Sequence, residues 1–176
     1  DKIFIANILN DLGNTHFSLK RYDEALDYLS RSLPISEEIE ANSLIAITNY
    51  NIGKTLVELG RVAEGLPYFE QSLIISRHIT KIPRNEVWAL NGLGNAYNLM
   101  NRPKKALSYL NKAVAIADSI GTKDDLFKGY GLRSKSYEML GDYKTSLSDH
   151  RNFKIVSDTV YNISKTKEIE RLTTEF

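Results

Sequence analysis

Four stretches of the chain share one internal spacing: Leu9–Leu29 (LNDLGNTHFSLKRYDEALDYL), Asn49–Phe69 (NYNIGKTLVELGRVAEGLPYF), Leu90–Leu110 (LNGLGNAYNLMNRPKKALSYL) and Tyr130–His150 (YGLRSKSYEMLGDYKTSLSDH). The small residues Gly13, Gly53, Gly94 and Ser134 stand 40, 41 and 40 positions apart. In every copy a second small residue follows 12 positions later, at Ala25, Gly65, Ala106 and Ser146. A spacing kept through four copies marks an internal repeat, and repeats of this length build solenoids, propellers or arrays. A small residue at each of two fixed positions lets two helix backbones approach closely where they cross.

Each copy reads as two amphipathic helices. The first of each pair is predicted over 3–18, 43–59, 86–99 and 124–140, and the second over 22–39, 62–79, 103–119 and 143–160. Breakers or polar residues separate the two: Lys20-Arg21, Gly60-Arg61, Asn101-Arg102-Pro103 and Gly141-Asp142. Pro103 suits a first helical turn, where its missing N–H is no loss. Asp142 and Asn162 read as N-caps, and Pro83 divides the second pair from the third. Pro34 falls inside a predicted helix and is expected to kink or shorten it. The fold class is therefore all-α. A solenoid of four helix pairs with a period of about 40 residues (approximately 3–40, 43–80, 86–120 and 124–160) occupies 1–160, and an exit or capping helix follows over 161–176.

Composition excludes several classes of function. A net charge of +1 leaves no concentrated basic excess for a nucleic-acid binder. No apolar run approaches the about 18 residues of a membrane span, so no direct membrane contact is expected of this segment. Zero Cys removes disulfides, thiolate nucleophiles and Cys-based zinc sites, and leaves cytosol and periplasm both allowed. The opening DKIFIANIL carries neither an initiator Met nor a signal-peptide pattern, which suggests a piece of something longer.

No constellation for catalysis stands out. His16, His78 and His150 are far apart in sequence, and His16 and His150 read as packed imidazoles. There is no metal-binding His pair on one helix, no nucleophile elbow, no phosphate-binding loop and no dinucleotide fingerprint. Glu37-Glu38-Ile39-Glu40 and Lys123-Asp124-Asp125 read as solvated helix ends. Arg102, Lys104, Lys105 and Lys112 read as one solvated face, with a phosphate or acidic partner as the alternative. Neither a cofactor nor a metal is expected, and the chain reads as non-enzymatic.

These repeats resemble the tetratricopeptide repeat (TPR), whose pattern is L-G-x2-Y in the first helix and A-x3-F in the second. The matches are Leu12-Gly13-x2-His16, Ile52-Gly53-x2-Leu56, Leu93-Gly94-x2-Tyr97 and, weakly, Arg133-Ser134-x2-Tyr137. In the second helix they are Ala25-x3-Leu29, Gly65-x3-Phe69, Ala106-x3-Leu110 and, poorest, Ser146-x3-His150. The period exceeds the usual 34 or so residues; HEAT repeats have such periods but lack the paired small residues. Ser157-Asp158, Val160-Tyr161-Asn162, Ser164-Lys165, Ile169 and Leu172 look like the segment that closes TPR sensor regions of bacterial membrane-tethered histidine kinases and related regulators. That resemblance implies a sensory module of a two-component-type regulator, on the periplasmic side of a membrane-tethered sensor or in the cytoplasm. A free-standing adaptor with constitutive protein partners is the alternative. The apolar tail residues Val156, Val160, Ile163, Ile169, Leu172 and Phe176 leave open docking on the fourth repeat or homodimerisation.

The resemblance also implies where a protein or peptide ligand sits, because the first helix of each TPR lines the concave groove. In WALNGLGNAYNLM (Trp88–Met100) the core stripe is Leu90, Leu93, Gly94 and Tyr97. Trp88, Asn91, Asn95 and Asn98 then form the opposite stripe. The equivalent stripes are Asn7, Asn10, Asn14 and Phe17; Ile47, Tyr50, Lys54 and Val57; and Lys128, Gly131, Lys135 and Glu138. An Asn amide both donates and accepts, so a row of them suits an extended peptide backbone. Exposed aromatics suit apolar side chains, and Lys54 and Lys135 suit a carboxylate. The expected binding residues are Asn10, Asn14, Tyr50, Lys54, Trp88, Asn91, Asn95, Asn98 and Lys135. The other reading of the asparagines is hydration, or bridges between neighbouring helices.

Overall fold

The computed structural model describes residues 1–174. Among them the chain forms eight α-helices: α1 (Lys2–Ser18), α2 (Tyr22–Glu38), α3 (Asn42–Glu58), α4 (Val62–Ile74), α5 (Pro83–Leu99), α6 (Pro103–Ser119), α7 (Lys123–Met139) and α8 (Tyr143–Thr174). They pack as four antiparallel pairs stacked in chain order, an all-α solenoid. Each of the turns between helices holds one residue at positive φ: Lys20, Glu40, Gly60, Lys81, Asn101, Gly121 and Gly141. That left-handed residue reverses the chain within about three positions and so keeps each pair tight.

The paired small residues sit at the helix crossings. A Cβ added to Gly65 would lie 2.9 Å from the Gly53 carbonyl oxygen, so α3 and α4 touch backbone to backbone. One added to Gly94 would lie 2.4 Å from Leu110, and one on Gly13 2.5 Å from Leu29. The fourth crossing is made differently: Ser134 Oγ donates to the Ser146 carbonyl at 2.9 Å. Above these crossings the core runs as overlapping clusters from Leu29, Ile52 and Leu56, through Phe69, Leu93 and Leu110, to Val87, Val114 and Leu126.

Four local expectations change. Pro34 lies inside α2, yet α2 keeps the same 17 residues as α1 and α3. Pro34 and Ser30, whose carbonyl loses its donor, are both exposed, so that carbonyl is open to solvent. After α4 the chain makes a π-helical turn over Ile75–Ile79, which absorbs the one extra residue of the 41-residue interval. Helix α5 starts at Pro83 itself, with the proline in the first turn. Finally, α8 runs unbroken through Asn162, which therefore caps nothing, so the exit helix continues the fourth pair. Asp142 does cap α8, accepting from the Thr145 N–H at 3.1 Å. The tail side chains of Ile163, Ile169, Leu172 and Phe176, on which homodimerisation was expected to depend, lie outside the described residues.

Candidate functional site: the groove of the first helices

Two cavities that share Tyr50, Lys54 and Lys128 open on the side lined by α1, α3, α5 and α7. The larger, ≈ 880 Å³, is lined by Asn14 and Phe17 of α1, Tyr50 and Lys54 of α3, Trp88 of α5, Lys128 of α7, and Ser157 and Val160 of α8. Its base is an aromatic and ionic lattice. Trp88 Nε1 donates to Asp125 Oδ1 at 2.9 Å, and Arg84 Nε donates to Oδ2 at 3.2 Å. Asp125 is only 1% exposed. The indole meets Tyr50 with ring centroids 5.8 Å apart, and Tyr50 meets Phe69 at 5.9 Å. Burial, and then the Asp125 charge, push the Tyr50 phenol up to about 12, so it stays neutral.

Lys54 sits between aromatic faces rather than in an ion pair. Its Nζ lies 3.8 Å from the centroid of Phe17 and 5.8 Å from that of Tyr50. No carboxylate of the described residues forms an ion pair with it. Burial, and then the like charge of Lys128, lower its pKa to about 8, against a weaker pull from Glu58. The second cavity, ≈ 310 Å³, adjoins it between α3, α5 and α7, with Val57, Phe69, Gly92 and Leu132 as walls. Lys54, Lys128, Glu58, Tyr50, Asn91 and Asn95 supply its polar groups. Asn91 is 6% exposed, and neither Nδ2 nor Oδ1 has a partner. A buried amide left without partners is costly, by about 1–3 kcal/mol, unless a ligand or water satisfies it.

The family model described as tetratricopeptide repeat matches residues 4–73 and 44–119 of the chain. The chain belongs to the tetratricopeptide repeat family. The TPR array is a protein-interaction module. Its fold is similar to aspartyl phosphate phosphatase F from Bacillus subtilis, with a TM-score of 0.83 and 18% identity over 97% of this chain and 44% of that one. It is also similar to a Rap protein complexed with competence and sporulation factor, with a TM-score of 0.82, 16% identity, and 90% and 44% covered. A third similar structure is a signal transduction ATPase with numerous domains, carrying a TPR sensor, from Pyrococcus horikoshii; the TM-score is 0.77, the identity 22%, and 96% of this chain and 26% of that one are covered. The chain thus spans less than half the length of each. No curated protein matches it in sequence.

Within this TPR groove the expected residues divide. Asn14, Tyr50, Lys54 and Trp88 line the larger cavity, and Asn91 and Asn95 the smaller. Asn10 reaches the larger cavity, but its Oδ1 already accepts from Thr48 at 3.3 Å and Asn51 at 3.1 Å, tying α1 to α3. Asn98 lines neither: its Nδ2 donates to the Leu132 carbonyl at 2.9 Å and its Oδ1 accepts from Ser136 at 2.8 Å, tying α5 to α7. Lys135 is exposed and lines neither cavity. Among the histidines, His16 packs on Tyr28 at 5.0 Å, whereas His150 is exposed beside Phe153, which takes the apolar contact with Phe127 instead. Asp125 is the residue that the sequence reading misplaced. It was expected at a solvated helix end, and it is buried because it holds the register position of Leu44 and Asn85, where the preceding pair covers it. A carboxylate at a core register position was the available signal. Among the described residues no cluster of three or more His, Asp or Glu is arranged to hold a metal ion, and no helix is long and apolar enough to cross a membrane.

Proposed function

We propose that this chain is a non-enzymatic recognition module that holds an extended protein or peptide segment in its groove, with a carboxylate of that segment at Lys54. We further propose that it serves as the sensory TPR region of a two-component-type regulator. The observation that carries this reading is a shared lining: Lys54 and the α8 residues Ser157 and Val160 border one cavity. An occupant therefore touches the anchor and the exit helix together, and its differential contacts shift the packing of α8. Phe17, Tyr50 and Trp88 present anchor faces to apolar side chains. Asn14, Asn91 and Asn95 line the cavities, and side-chain amides suit a peptide backbone. The complex of a Rap protein with competence and sporulation factor, and the TPR sensor of the Pyrococcus horikoshii protein, are in keeping with it.

Trp88 is the chain's single tryptophan, so its fluorescence reports the groove directly. Titrating peptides selected from a random phage-displayed library should shift the Trp88 emission. Replacing both Asn91 and Asn95 by Ala should weaken those peptides at least tenfold while the circular dichroism melt barely moves. Unaltered affinity would remove the amides from the site, and collapse of the fold would make them structural. A library that yields no binder refutes the groove. Amide exchange along α8 separates the two forms of the reading: slower exchange on occupancy supports a sensor, and none supports a constitutive adaptor.

A further inference from the structure

The outer face of α1 carries Phe4, Ile5, Ile8 and Leu12, which are 63%, 48%, 40% and 37% exposed. The repeat register makes this face unusual. Forty positions on, α3 has Leu44, Ile45, Thr48 and Ile52 at the same places, all 8% exposed or less. In α5 and α7 the same register positions include Ala89 and Leu93, and Asp125, Leu126 and Gly129, again buried. In α3, α5 and α7 the second helix of the preceding pair supplies the cover. Leu26 and Leu33 pack beside Ile52, Leu66 and Leu73 beside Leu93, and Val114 beside Leu126. The covering helices share a pattern of their own: Leu26, Leu33 and Ser36; Leu66, Leu73 and Ser76; Leu107, Val114 and Ala117. The last member of each set is fully buried.

We propose that the outer face of α1 is a docking surface for one kind of partner: an amphipathic helix carrying Leu, then Leu or Val seven residues later, then Ser or Ala three beyond that. The surface continues, in register, an interface the molecule makes three times inside itself. A helix face on which nothing stacks stays soluble by being polar, and the outer face of α1 is apolar. A second copy stacked head to tail does not fit, because α8 carries Lys154 where the pattern has Leu or Val. This inference is independent of what the groove binds.

The chain provides its own probe. Thr122 is the N-cap of α7 and Asp1 the N-cap of α1, at the same register position. A copy of residues 83–121 fused directly ahead of Asp1 therefore delivers Leu107, Val114 and Ala117 in register to α1. The fusion should melt in one cooperative transition, several degrees above the unfused chain. Two changes should remove that gain without unfolding the original array: Val114→Lys in the added copy only, reproducing Lys154, and Ile8→Asp in α1. A fusion with no gain in Tm, or a gain that survives both changes, overturns the proposal. So does a sedimentation experiment in which the unfused chain is a dimer that Ile8→Asp dissociates, since the face would then belong to a second copy.

Discussion

Burying an ammonium group without a counter-ion destabilises a fold, and burial and a neighbouring cation both act on Lys54. Its pKa is lowered from 10.5 to about 8, so between those values the unfolded chain holds a proton that the folded chain has released. Stability should therefore rise as pH climbs through that window, and the penalty of the buried charge should be fully present below it. Lys54→Met keeps an unbranched side chain, one heavy atom shorter, and removes the charge. It should raise Tm by a few degrees at pH 7, flatten the rise above pH 8, and abolish binding of acidic peptides; thermal melts across pH and a Trp88 titration check the three. An unchanged melt would mean that the ammonium is already hydrated and is not an anchor. The asparagines teach the complementary lesson. Sequence puts Asn10, Asn91 and Asn98 on one kind of stripe, but whether an amide bridges or waits depends on what the next helix offers. Thr48 and Asn51 stand opposite Asn10, Leu132 and Ser136 opposite Asn98, and no partner meets Asn91.

Between elements, the crossings are fixed by absent side chains. Gly53→Ala would place a Cβ 2.9 Å from the Phe69 ring and 3.1 Å from the Gly65 carbonyl oxygen, with backbone on one side and a packed aromatic on the other. Such overpacking should cost about 2–3 kcal/mol. At the fourth crossing Ser134→Ala removes a hydrogen bond and adds nothing that clashes, so about 1 kcal/mol is expected. Urea melts of the two variants should rank in that order, and the reverse order would show that α3 and α4 can slide apart. The helices themselves were legible because their apolar period and breakers repeat four times, each copy checking the others. Pro34 was misjudged because the rule for mid-helix proline ignores which side of the helix meets water. The end of the fourth pair was misjudged because Asn162 has the right residue type for a cap while its neighbours keep the helical hydrogen bonds going.

Across the whole molecule, the array was readable from one spacing, while the binding surface was readable only as a set of faces. Cavities depend on how successive pairs stack, and α8 reaches the groove through Ser157 and Val160, a closure no local pattern announces. The stacking is also where the chain tolerates change. The interval from Gly53 to Gly94 is one residue longer than its neighbours, and the π turn at Ile75–Ile79 takes up the difference without disturbing α5 and α6. The 12-residue interval inside each pair never varies. One Ala inserted after Ile39, between pairs, should lower Tm by only a few degrees, whereas one inserted after Leu59, inside a pair, should prevent cooperative folding; circular dichroism melts of the two distinguish them. The molecule thus keeps two clocks: a strict one of 12 that locks each hairpin, and a loose one near 40 that lets whole hairpins drift in phase. Length variation among such arrays should accumulate at the joints governed by the second, so that curvature can be retuned without reinventing the hairpin.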